Sequence, residues 1–319
     1  MKREKIFITR KIPIEGIAEL EKYYDVEVWG SELPIPPELF IEKIKDAAGV
    51  ICMLSDKVTK EVIDSAPELR VITNYAVGYD NIAVEYAKSK GIKVGNTPGV
   101  LTETTADLAF SLLMSVARRI TESADYVRAG EWKTWGPQLM LGNDIWGRTM
   151  GIIGFGRIGQ AMARRARGFG MKVLYYSRTR KPDAEEGIGV TYTSLEEIYE
   201  NSDFISLHSN LTPSTNGMIG KEQFDRMKRN CILINTARGA MIKTADLIEA
   251  LETRKIAGAG LDVTDPEPIN MDSKLLELSN CIIVPHIGSA SYQTRNKMSR
   301  MVAENIIAGI NGHRLPYEV

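Results

Sequence analysis

The 319-residue sequence has only three cysteines and almost no net charge. An odd, low cysteine count in a chain of this length argues against a disulfide framework. Each cysteine lies in or beside an apolar run, so we interpret Cys52, Cys231 and Cys281 as buried structural thiols rather than nucleophiles. The formal net charge of −1 gives no reason to expect a nucleic acid as partner.

Long hydrophobic runs are also missing. No apolar stretch approaches the roughly 20 residues that a helix needs to span a bilayer, so no membrane contact is expected. The N-terminus, MKREKIFITRKIP, is positively charged but has only a short apolar run, whereas a secretory signal has a longer apolar core and a small-residue cleavage site. We therefore expect a cytoplasmic protein, and nothing in the sequence predicts a bound metal.

Two series of β-rich runs make up most of the chain. The first lies at 6–9, 26–29, 49–54, 70–74 and 92–96, with helical patterns such as ELFIEKIKDA between its members. The second begins at Thr149 and comprises TMGIIG, KVLYYS, DFISLH, CILINTA, AGAGLDV and CIIVPH. Strands that alternate with helices predict βαβ units and a parallel sheet in each series.

One long helix is predicted between the two series, over NTPGVLTETTADLAFSLLMSVARRITESADYVRAG. Thr102 is the expected N-cap and Gly130 the expected stop. Apolar residues recur at helical spacing along one face, at Leu108, Leu112, Met114, Val116 and Ile120. The next segment, EWKTWGPQLMLGNDIWG, is rich in Trp, Gly and Pro and is predicted to be irregular.

These patterns predict an α/β protein with two Rossmann-like, doubly wound parallel-sheet domains. The amphipathic final helix, QTRNKMSRMVAENIIAGING, is expected to return to the first domain and make it discontinuous. We assign 1–99 and 288–319 to a flavodoxin-like, substrate-binding domain, and 100–287 to a dinucleotide-binding domain.

The segment GFGRIG, from Gly154 to Gly159, matches the G-x-G-x-x-G pattern of dinucleotide-binding proteins. It follows the apolar strand TMGII and opens the helix RIGQAMARRARGFG, the context that this weak pattern requires. Gly154 should make the tight turn, Gly156 should let the backbone approach a pyrophosphate, and Gly159 should let helix and strand pack closely. The pyrophosphate is then expected at the helix N-terminus, beside Arg157 and Ile158. A glycine turn without a ligand is the alternative.

The end of the next strand, KVLYYSRTRKP, bears on which dinucleotide binds. NAD enzymes usually place Asp or Glu there, about 20 residues after the glycines, to bind the ribose hydroxyls. Here Ser177 takes that place, followed by Arg178, Thr179 and Arg180, with no carboxylate before Asp183. A hydroxyl and two guanidinium groups suit a 2′-phosphate. The segment is therefore interpreted as a binding site for NADP(H) rather than as a solvated basic loop. NAD(H) is still possible as the cofactor.

The chain has only three histidines, His208, His286 and His313. His313 is expected to be exposed near the C-terminus, and nothing beside His208, at the end of DFISLH, marks a role for it. His286 follows the strand CIIVP at the carboxyl edge of the sheet, where α/β proteins bind ligands. It is therefore the histidine that we select as a candidate for chemistry.

Two further motifs end strands at the same edge. INTARG presents Arg238, and GLDVTDPEP presents Asp262 and Glu267. A cation can hold a substrate carboxylate and polarise the adjacent carbonyl. An imidazole can supply a proton while a nicotinamide delivers hydride, and a carboxylate beside the imidazole fixes its tautomer. These groups are what the reduction of a 2-oxo acid requires.

Six motifs follow one another over nearly the whole chain: NYAVGYDNI, GNTPGVLTETTADLAF, GRTMGIIGFGRIGQ, ILINTARG, GAGLDVTDPEP and VPHIGSAS. In this order and spacing, the sequence resembles the D-isomer-specific 2-hydroxyacid dehydrogenases. Within that family it is similar to the glyoxylate/hydroxypyruvate reductases, in LSDKVT and GEWKTW among other stretches. The segment SRTRKP resembles members that use NADP(H).

The resemblance implies roles for the matching positions. His286 is the acid/base with Glu267 as its partner, and Arg238 binds the substrate carboxylate and carbonyl. The backbone amides of Val77 and Gly78 hold the same carboxylate. Other implied contacts are Leu54 in the substrate pocket, Asp262 at the nicotinamide carboxamide, Thr236 and Gly288 in the cofactor cleft, and Ser289 at the hydroxymethyl group of hydroxypyruvate.

Trp132, Trp135 and Trp146 cluster in the irregular segment. Packing at an interface or in a core is the favoured interpretation. The resemblance implies a homodimer with this segment at its interface. A sharper hypothesis is that Trp135 reaches the active site of the neighbouring subunit.

Other functions stay open on the sequence. The alternatives within the family are a 2-ketogluconate reductase, a D-lactate dehydrogenase and a 3-phosphoglycerate dehydrogenase. A protein of another class, a dinucleotide-sensing corepressor, can use the same fold. The complete set of Arg238, Glu267 and His286 favours an enzyme over that sensor.

Overall fold

The computed structural model describes residues 3–319. The chain divides into two compact units, Met1–Leu101 with Ser289–Val319, and Thr102–Gly288. The first unit is therefore discontinuous in sequence. Among the described residues, no helix is both long and apolar enough to cross a membrane.

A five-stranded parallel sheet forms the centre of the first unit, in the order β2-β1-β3-β4-β5. The strands are β1 Lys5–Ile8, β2 Asp25–Val28, β3 Ala47–Cys52, β4 Val71–Asn74 and β5 Lys93–Gly95. The helices between them are α1 Ile14–Glu21, α2 Pro37–Ile44, α3 Lys60–Asp64 and α4 Val84–Ser89. The central strands are buried on both faces, which explains their nearly continuous apolar runs.

The second unit holds a seven-stranded parallel sheet. Its strands are β6 Thr149–Ile153, β7 Lys172–Tyr176, β8 Thr191–Tyr192, β9 Phe204–Leu207, β10 Ile232–Asn235, β11 Gly258–Leu261 and β12 Cys281–Ile283, in the order β12-β11-β10-β9-β6-β7-β8. Its helices are α5 Thr102–Ala117, α6 Ile120–Arg128, α7 Arg157–Gly168, α8 Pro182–Ile188, α9 Leu195–Asn201, α10 Lys221–Arg226 and α11 Thr244–Glu252. The predicted architecture of two doubly wound parallel sheets is confirmed.

The last helix, α12 Tyr292–Ile310, belongs to the first unit and packs on its sheet. Its buried face includes Met298, Val302 and Ile306. A methyl group at Gly16 in α1 would lie 2.2 Å from the Ser299 carbonyl oxygen, so a glycine is what lets α1 and α12 pack this closely. The predicted return of the chain to its first unit therefore rests on tight helix packing.

The prediction of one long helix after residue 100 was wrong. The segment forms two helices, α5 and α6, and Arg119 between them has a left-handed φ of 52°. The amide of Asn143 donates to the Ala117 carbonyl oxygen at 2.8 Å, which satisfies the end of α5 from a distant part of the chain. Thr102 is the first residue of α5 rather than the residue before it.

Two smaller predictions concern this part of the chain. Gly130 has a φ of 71° just beyond the end of α6, as expected for a glycine that stops a helix. The segment 131–148 contains no helix or strand, so its predicted irregularity is confirmed. The two-residue strand β8 was not predicted, because so short a run carries no periodic signal.

The cysteines behave as structural thiols. Cys52 and Cys231 are buried and Cys281 is half-buried. Burial raises the pKa of Cys231 and Cys281 to about 12, and it raises the pKa of Cys52 as well. A thiol that stays protonated at neutral pH is a poor nucleophile.

Candidate functional site

The glycine-rich loop joins β6 to α7, and two of its glycines are required by close approach. Gly154 has a φ of 94°, and a methyl group there would lie 2.5 Å from the backbone of His208 and Ser209. A methyl group at Gly159 would lie 2.2 Å from the Gly154 carbonyl oxygen. These two glycines therefore let the turn pack against the residues that follow β9 and against α7.

Gly156 serves a different purpose, because a methyl group there would meet no atom within 4 Å. The backbone at this position faces open space, directly before the first residues of α7, Arg157 and Ile158. The N-terminus of a helix attracts anions through its free amides and its dipole. The hydroxyl of Thr236, at the carboxyl end of β10, which β9 separates from β6 in the sheet, is buried without a hydrogen-bond partner among the described residues. An open helix N-terminus and an unpaired buried hydroxyl fit a bound dinucleotide.

The end of β7 carries the residues that were expected to select the dinucleotide. The Ser177 hydroxyl donates to the Thr179 carbonyl oxygen at 2.6 Å, which folds this loop on itself. Arg178 is exposed. The strand end holds no carboxylate before α8, in agreement with the sequence.

Arg180 is engaged with α8. Its guanidinium group donates to both carboxylate oxygens of Glu185 at 2.8 Å and lies over the ring of Tyr192. Arg180, followed by the Tyr175 hydroxyl, lowers the pKa of Glu185 to about 2. Arg180 therefore holds the loop against α8, a role that its position in the sequence did not indicate.

A histidine and a carboxylate meet at the other side of the sheet. His286 Nδ1 lies 2.5 Å from Glu267 Oε1, and both side chains keep partial access to solvent. Glu267 lies in the loop after β11, and His286 lies in the loop after β12, next to it in the sheet. The two residues predicted to act together are therefore in contact.

The turn that carries His286 is held by Asp262. His286 has a left-handed φ of 52°, which is uncommon for a residue with a side chain. The carboxylate of Asp262 accepts the Ile287 amide at 2.6 Å and the Gly288 amide at 2.9 Å. Burial raises the pKa of Asp262, and these two amides oppose that rise. Its predicted contact with a nicotinamide stays a prediction, while its role in shaping the turn is visible here.

Arg238 follows β10 in a turn fixed by Asn235. The Asn235 side chain donates to the Arg238 carbonyl oxygen at 2.8 Å and accepts the Ala237 amide at 3.0 Å. A methyl group at Gly239 would lie 2.0 Å from the Thr264 carbonyl oxygen. The turn of Arg238 therefore packs directly against the loop that leads to Glu267. The sequence reasoning missed Asn235 and Gly239, although both lie inside the motif INTARG.

The remaining substrate candidates lie in the first unit. Leu54 follows β3 and is 39% exposed, and Val77 and Gly78 follow β4, which neighbours β3 in the sheet. The Asn81 side chain donates to the carbonyl oxygens of Met53 and Asp56 at 3.0 and 2.9 Å. This asparagine, which was also missed, ties the two loops together.

The burial and contacts of three other residues named in the sequence analysis are as follows. Ser289 is half-buried and begins the returning part of the first unit. Burial lowers the pKa of His208 to about 4, and its Nε2 lies 2.8 Å from the Ser206 hydroxyl in the strand that precedes it, β9. His313 is exposed, as predicted.

The tryptophans of the irregular segment are on the surface of this chain. Trp132 is 57% exposed, and Trp135 and Trp146 are each 77% exposed. Packing in the core of the chain is therefore excluded for all three. Exposed apolar side chains in such a group are typical of an interaction surface.

Comparison with known proteins covers the whole chain. Residues 110–288 match the family model described as D-isomer specific 2-hydroxyacid dehydrogenase, NAD binding domain. A glyoxylate reductase of Korarchaeum cryptofilum is 50% identical over 315 residues, which is 98% of this chain and 95% of that protein.

Solved structures are also similar to this chain over almost its full length. A crystal structure of a Thermus thermophilus protein has a TM-score of 0.94 at 45% identity, covering 99% of each chain. The NADPH-dependent glyoxylate/hydroxypyruvate reductase of Sinorhizobium meliloti, solved with NADP and malonate, has a TM-score of 0.86 at 32% identity and covers 100% of this chain and 97% of its own.

The contact at Gly239 leads to a prediction about stability. We expect Gly239→Ala to destabilise the protein by about 1–3 kcal/mol, because an added methyl group must displace the backbone at Thr264. The matched control is Gly187→Ala in α8, where a methyl group meets nothing within 4 Å. Denaturant unfolding of both variants measures the difference. Equal stabilities would show that the turn of Arg238 does not depend on this close approach.

Proposed function

Because the chain belongs to the D-isomer specific 2-hydroxyacid dehydrogenases, and so is an NAD(P)-dependent dehydrogenase, we propose that it reduces small 2-oxo acids. The proposed reactions are glyoxylate to glycolate and hydroxypyruvate to D-glycerate, with NADPH as the preferred reductant. The observation that carries the proposal is the contact of 2.5 Å between His286 and Glu267, at the same edge of the sheet as the glycine loop. Relatives named glyoxylate reductase support this substrate class.

The chemistry divides between cofactor and protein. The nicotinamide, when bound, supplies hydride to the carbonyl carbon. His286 then protonates the carbonyl oxygen, so that one C–H and one O–H bond form and the carbonyl π bond is lost. Glu267 accepts the Nδ1–H of His286, which leaves Nε2 as the acid and stabilises the charged ring. Solvent returns the proton to His286 after each cycle.

Arg238 has the role of substrate clamp in this proposal. Its planar guanidinium group matches a carboxylate and can also polarise the neighbouring carbonyl. The amides of Val77 and Gly78 bind the same carboxylate, and Leu54 provides apolar contact. Ser289 is assigned to the hydroxymethyl group of hydroxypyruvate.

The proposed cofactor contacts follow the strand ends. The backbone from Gly154 to Gly159, with Arg157 and Ile158, binds the pyrophosphate. Ser177, Arg178, Thr179 and Arg180 surround the 2′-phosphate, for which Arg180 must share its guanidinium group with Glu185. Thr236, Asp262 and Gly288 lie along the nicotinamide side.

The first test is turnover. We expect the purified protein to oxidise NADPH with glyoxylate and hydroxypyruvate faster than with pyruvate or 2-ketogluconate. His286→Gln should lower kcat/KM for glyoxylate by about 10²–10⁴, because the proton donor is lost. The rate of NADPH oxidation is measured from the absorbance of the reduced nicotinamide at about 340 nm.

The control is His313→Gln, which changes an exposed histidine and should keep full activity. Preference for 2-ketogluconate or pyruvate would assign another reaction of the same family. No turnover of any 2-oxo acid, together with tight binding of NADPH, would reject the reductase in favour of a dinucleotide sensor.

Cofactor preference is tested separately. Ser177→Asp places a carboxylate at the end of β7, where it repels a 2′-phosphate and can bind ribose hydroxyls. We expect the ratio of kcat/KM with NADPH to kcat/KM with NADH to fall by about 100-fold, equal to about 2.7 kcal/mol. Asn201→Asp adds the same charge to an exposed position in the second unit and should leave the ratio unchanged. A wild-type preference for NADH would refute the assignment to this strand end.

We also propose that two copies of the chain form a homodimer through the segment 120–146. The exposed large apolar residues of this segment are Ile120, Val127, Trp132, Trp135, Leu139, Leu141 and Trp146. A second copy would remove this surface from water. Within it, Trp135 is the residue proposed to reach the neighbouring active site.

Replacing Trp132, Trp135 and Leu141 together by alanine should convert the dimer to a monomer, as measured by sedimentation velocity. Trp135→Ala alone should raise KM for glyoxylate while the dimer persists. Met271→Ala, at a residue that is 86% exposed outside the segment, is the matched control for both readouts. A monomeric wild type would contradict the dimer, and an unchanged KM would remove Trp135 from the active site.

A further inference from the structure

The loop after β4 contains two successive peptide groups whose carbonyl oxygens both accept hydrogen bonds from residues that follow β5. The Ala76 carbonyl oxygen accepts the Thr97 amide at 2.9 Å. The Val77 carbonyl oxygen accepts the Asn96 side chain, through Nδ2, at 2.7 Å. Asn96 and Thr97 directly follow β5, which lies beside β4 in the sheet.

Because the peptide group is planar, these two hydrogen bonds also fix the direction of the amides that follow. In a trans peptide the carbonyl oxygen and the N–H of the next residue point in opposite directions. Holding the Ala76 oxygen therefore aims the Val77 amide away from β5, and holding the Val77 oxygen does the same for the Gly78 amide. Within residues 3–319, neither amide has a hydrogen-bond acceptor.

Asn96 is itself held on several sides. Its side chain is only 7% exposed, its amide donates to the Tyr317 carbonyl oxygen at 3.1 Å, and its carbonyl oxygen accepts the Asn305 side chain at 3.3 Å. A buried side chain with an anchored backbone has few alternative rotamers. It can therefore hold the Val77–Gly78 peptide in one orientation.

A second asparagine holds the next peptide. Asn74 is fully buried, and its Nδ2 donates to the Gly78 carbonyl oxygen at 2.7 Å and to Asn81 Oδ1 at 2.9 Å. The loop thus has its carbonyl groups turned towards the protein and bound. Two neighbouring amides that face outward together form a concave anion site of the kind that binds carboxylates.

We propose that Asn96 is a positioning residue for the substrate carboxylate, acting by aiming the Gly78 amide. This inference rests on the proposed function, in which Val77 and Gly78 bind that carboxylate. Asn96 does not touch the substrate. It preorganises a donor, so that the loop needs no reorganisation when the 2-oxo acid binds.

The test separates binding of substrate from the rest of catalysis. Asn96→Ala frees the Val77 carbonyl group, and Asn96→Asp places an oxygen against that oxygen at nearly the same shape. We expect KM for glyoxylate, and the inhibition constant of the unreactive analogue oxalate, to rise about tenfold or more in both variants, the effect of one charge-assisted hydrogen bond. KM for NADPH should stay within about twofold, a difference of only ~0.4 kcal/mol, since the glycine loop is untouched.

Asn296→Ala is the control for loss of a side-chain hydrogen bond in the same unit, because Asn296 binds Glu15 and joins α12 to α1. It should leave both KM values unchanged, and thermal unfolding shows whether each variant is folded. If either Asn96 variant fails to fold, the other gives the answer. If both fail, Asn96→Ser, which keeps a small polar side chain but cannot reach as far, takes their place.

The outcomes distinguish this inference from the proposed function. A wild type that reduces glyoxylate, with Asn96 variants of unchanged KM and oxalate inhibition, would overturn the role of Asn96 alone. A fall in kcat with unchanged KM would also overturn it, because the effect would then lie in the chemical step. A wild type that neither reduces 2-oxo acids nor binds oxalate would overturn both.

Discussion

The buried carboxylate of Asp262 is the constraint on which the geometry of the candidate site depends. It accepts the amides of Ile287 and Gly288, and so stabilises a turn in which His286 adopts a left-handed φ of 52°. A non-glycine residue in that conformation persists only where its surroundings compensate for the cost. The same turn carries His286 to its contact with Glu267.

Other turns at the carboxyl edge of the second sheet are fixed in a similar way. Parallel strands place all their carboxyl ends at one edge, so loops that are distant in sequence become neighbours. Arg238 is held by Asn235, and its turn approaches the Glu267 loop only because residue 239 is a glycine. The charged side chains are therefore carried on turns whose backbone bonds are already satisfied, which is the condition for a preorganised site.

Much of this arrangement could be predicted from the sequence. Apolar strands that alternate with helices specify the two parallel sheets, and GFGRIG between a strand and a helix specifies the dinucleotide loop. The break at Arg119 could not be predicted, because it depends on the bond from Asn143 to Ala117, which is a tertiary contact. The parts played by Asn81, Asp262 and Gly239 were hidden for the same reason, since each acts through backbone groups that sequence patterns do not locate.

In the function that we propose, the two units bind the substrate carboxylate by different means. The second unit would use the guanidinium group of Arg238, carried on a turn that Asn235 holds, while the loop after β4 in the first unit would use backbone amides, with no cation among its residues 75–81. Amides carry only partial charges, so they bind an anion well only if they are already oriented towards its site before it binds. That requirement explains why a loop with so little side-chain chemistry is surrounded by three asparagines, Asn74, Asn81 and Asn96, each donating to a carbonyl oxygen of this loop or of the loop beside it. In this proposal, recognition of a carboxylate by the first unit depends on the orientation of backbone amides rather than on net charge.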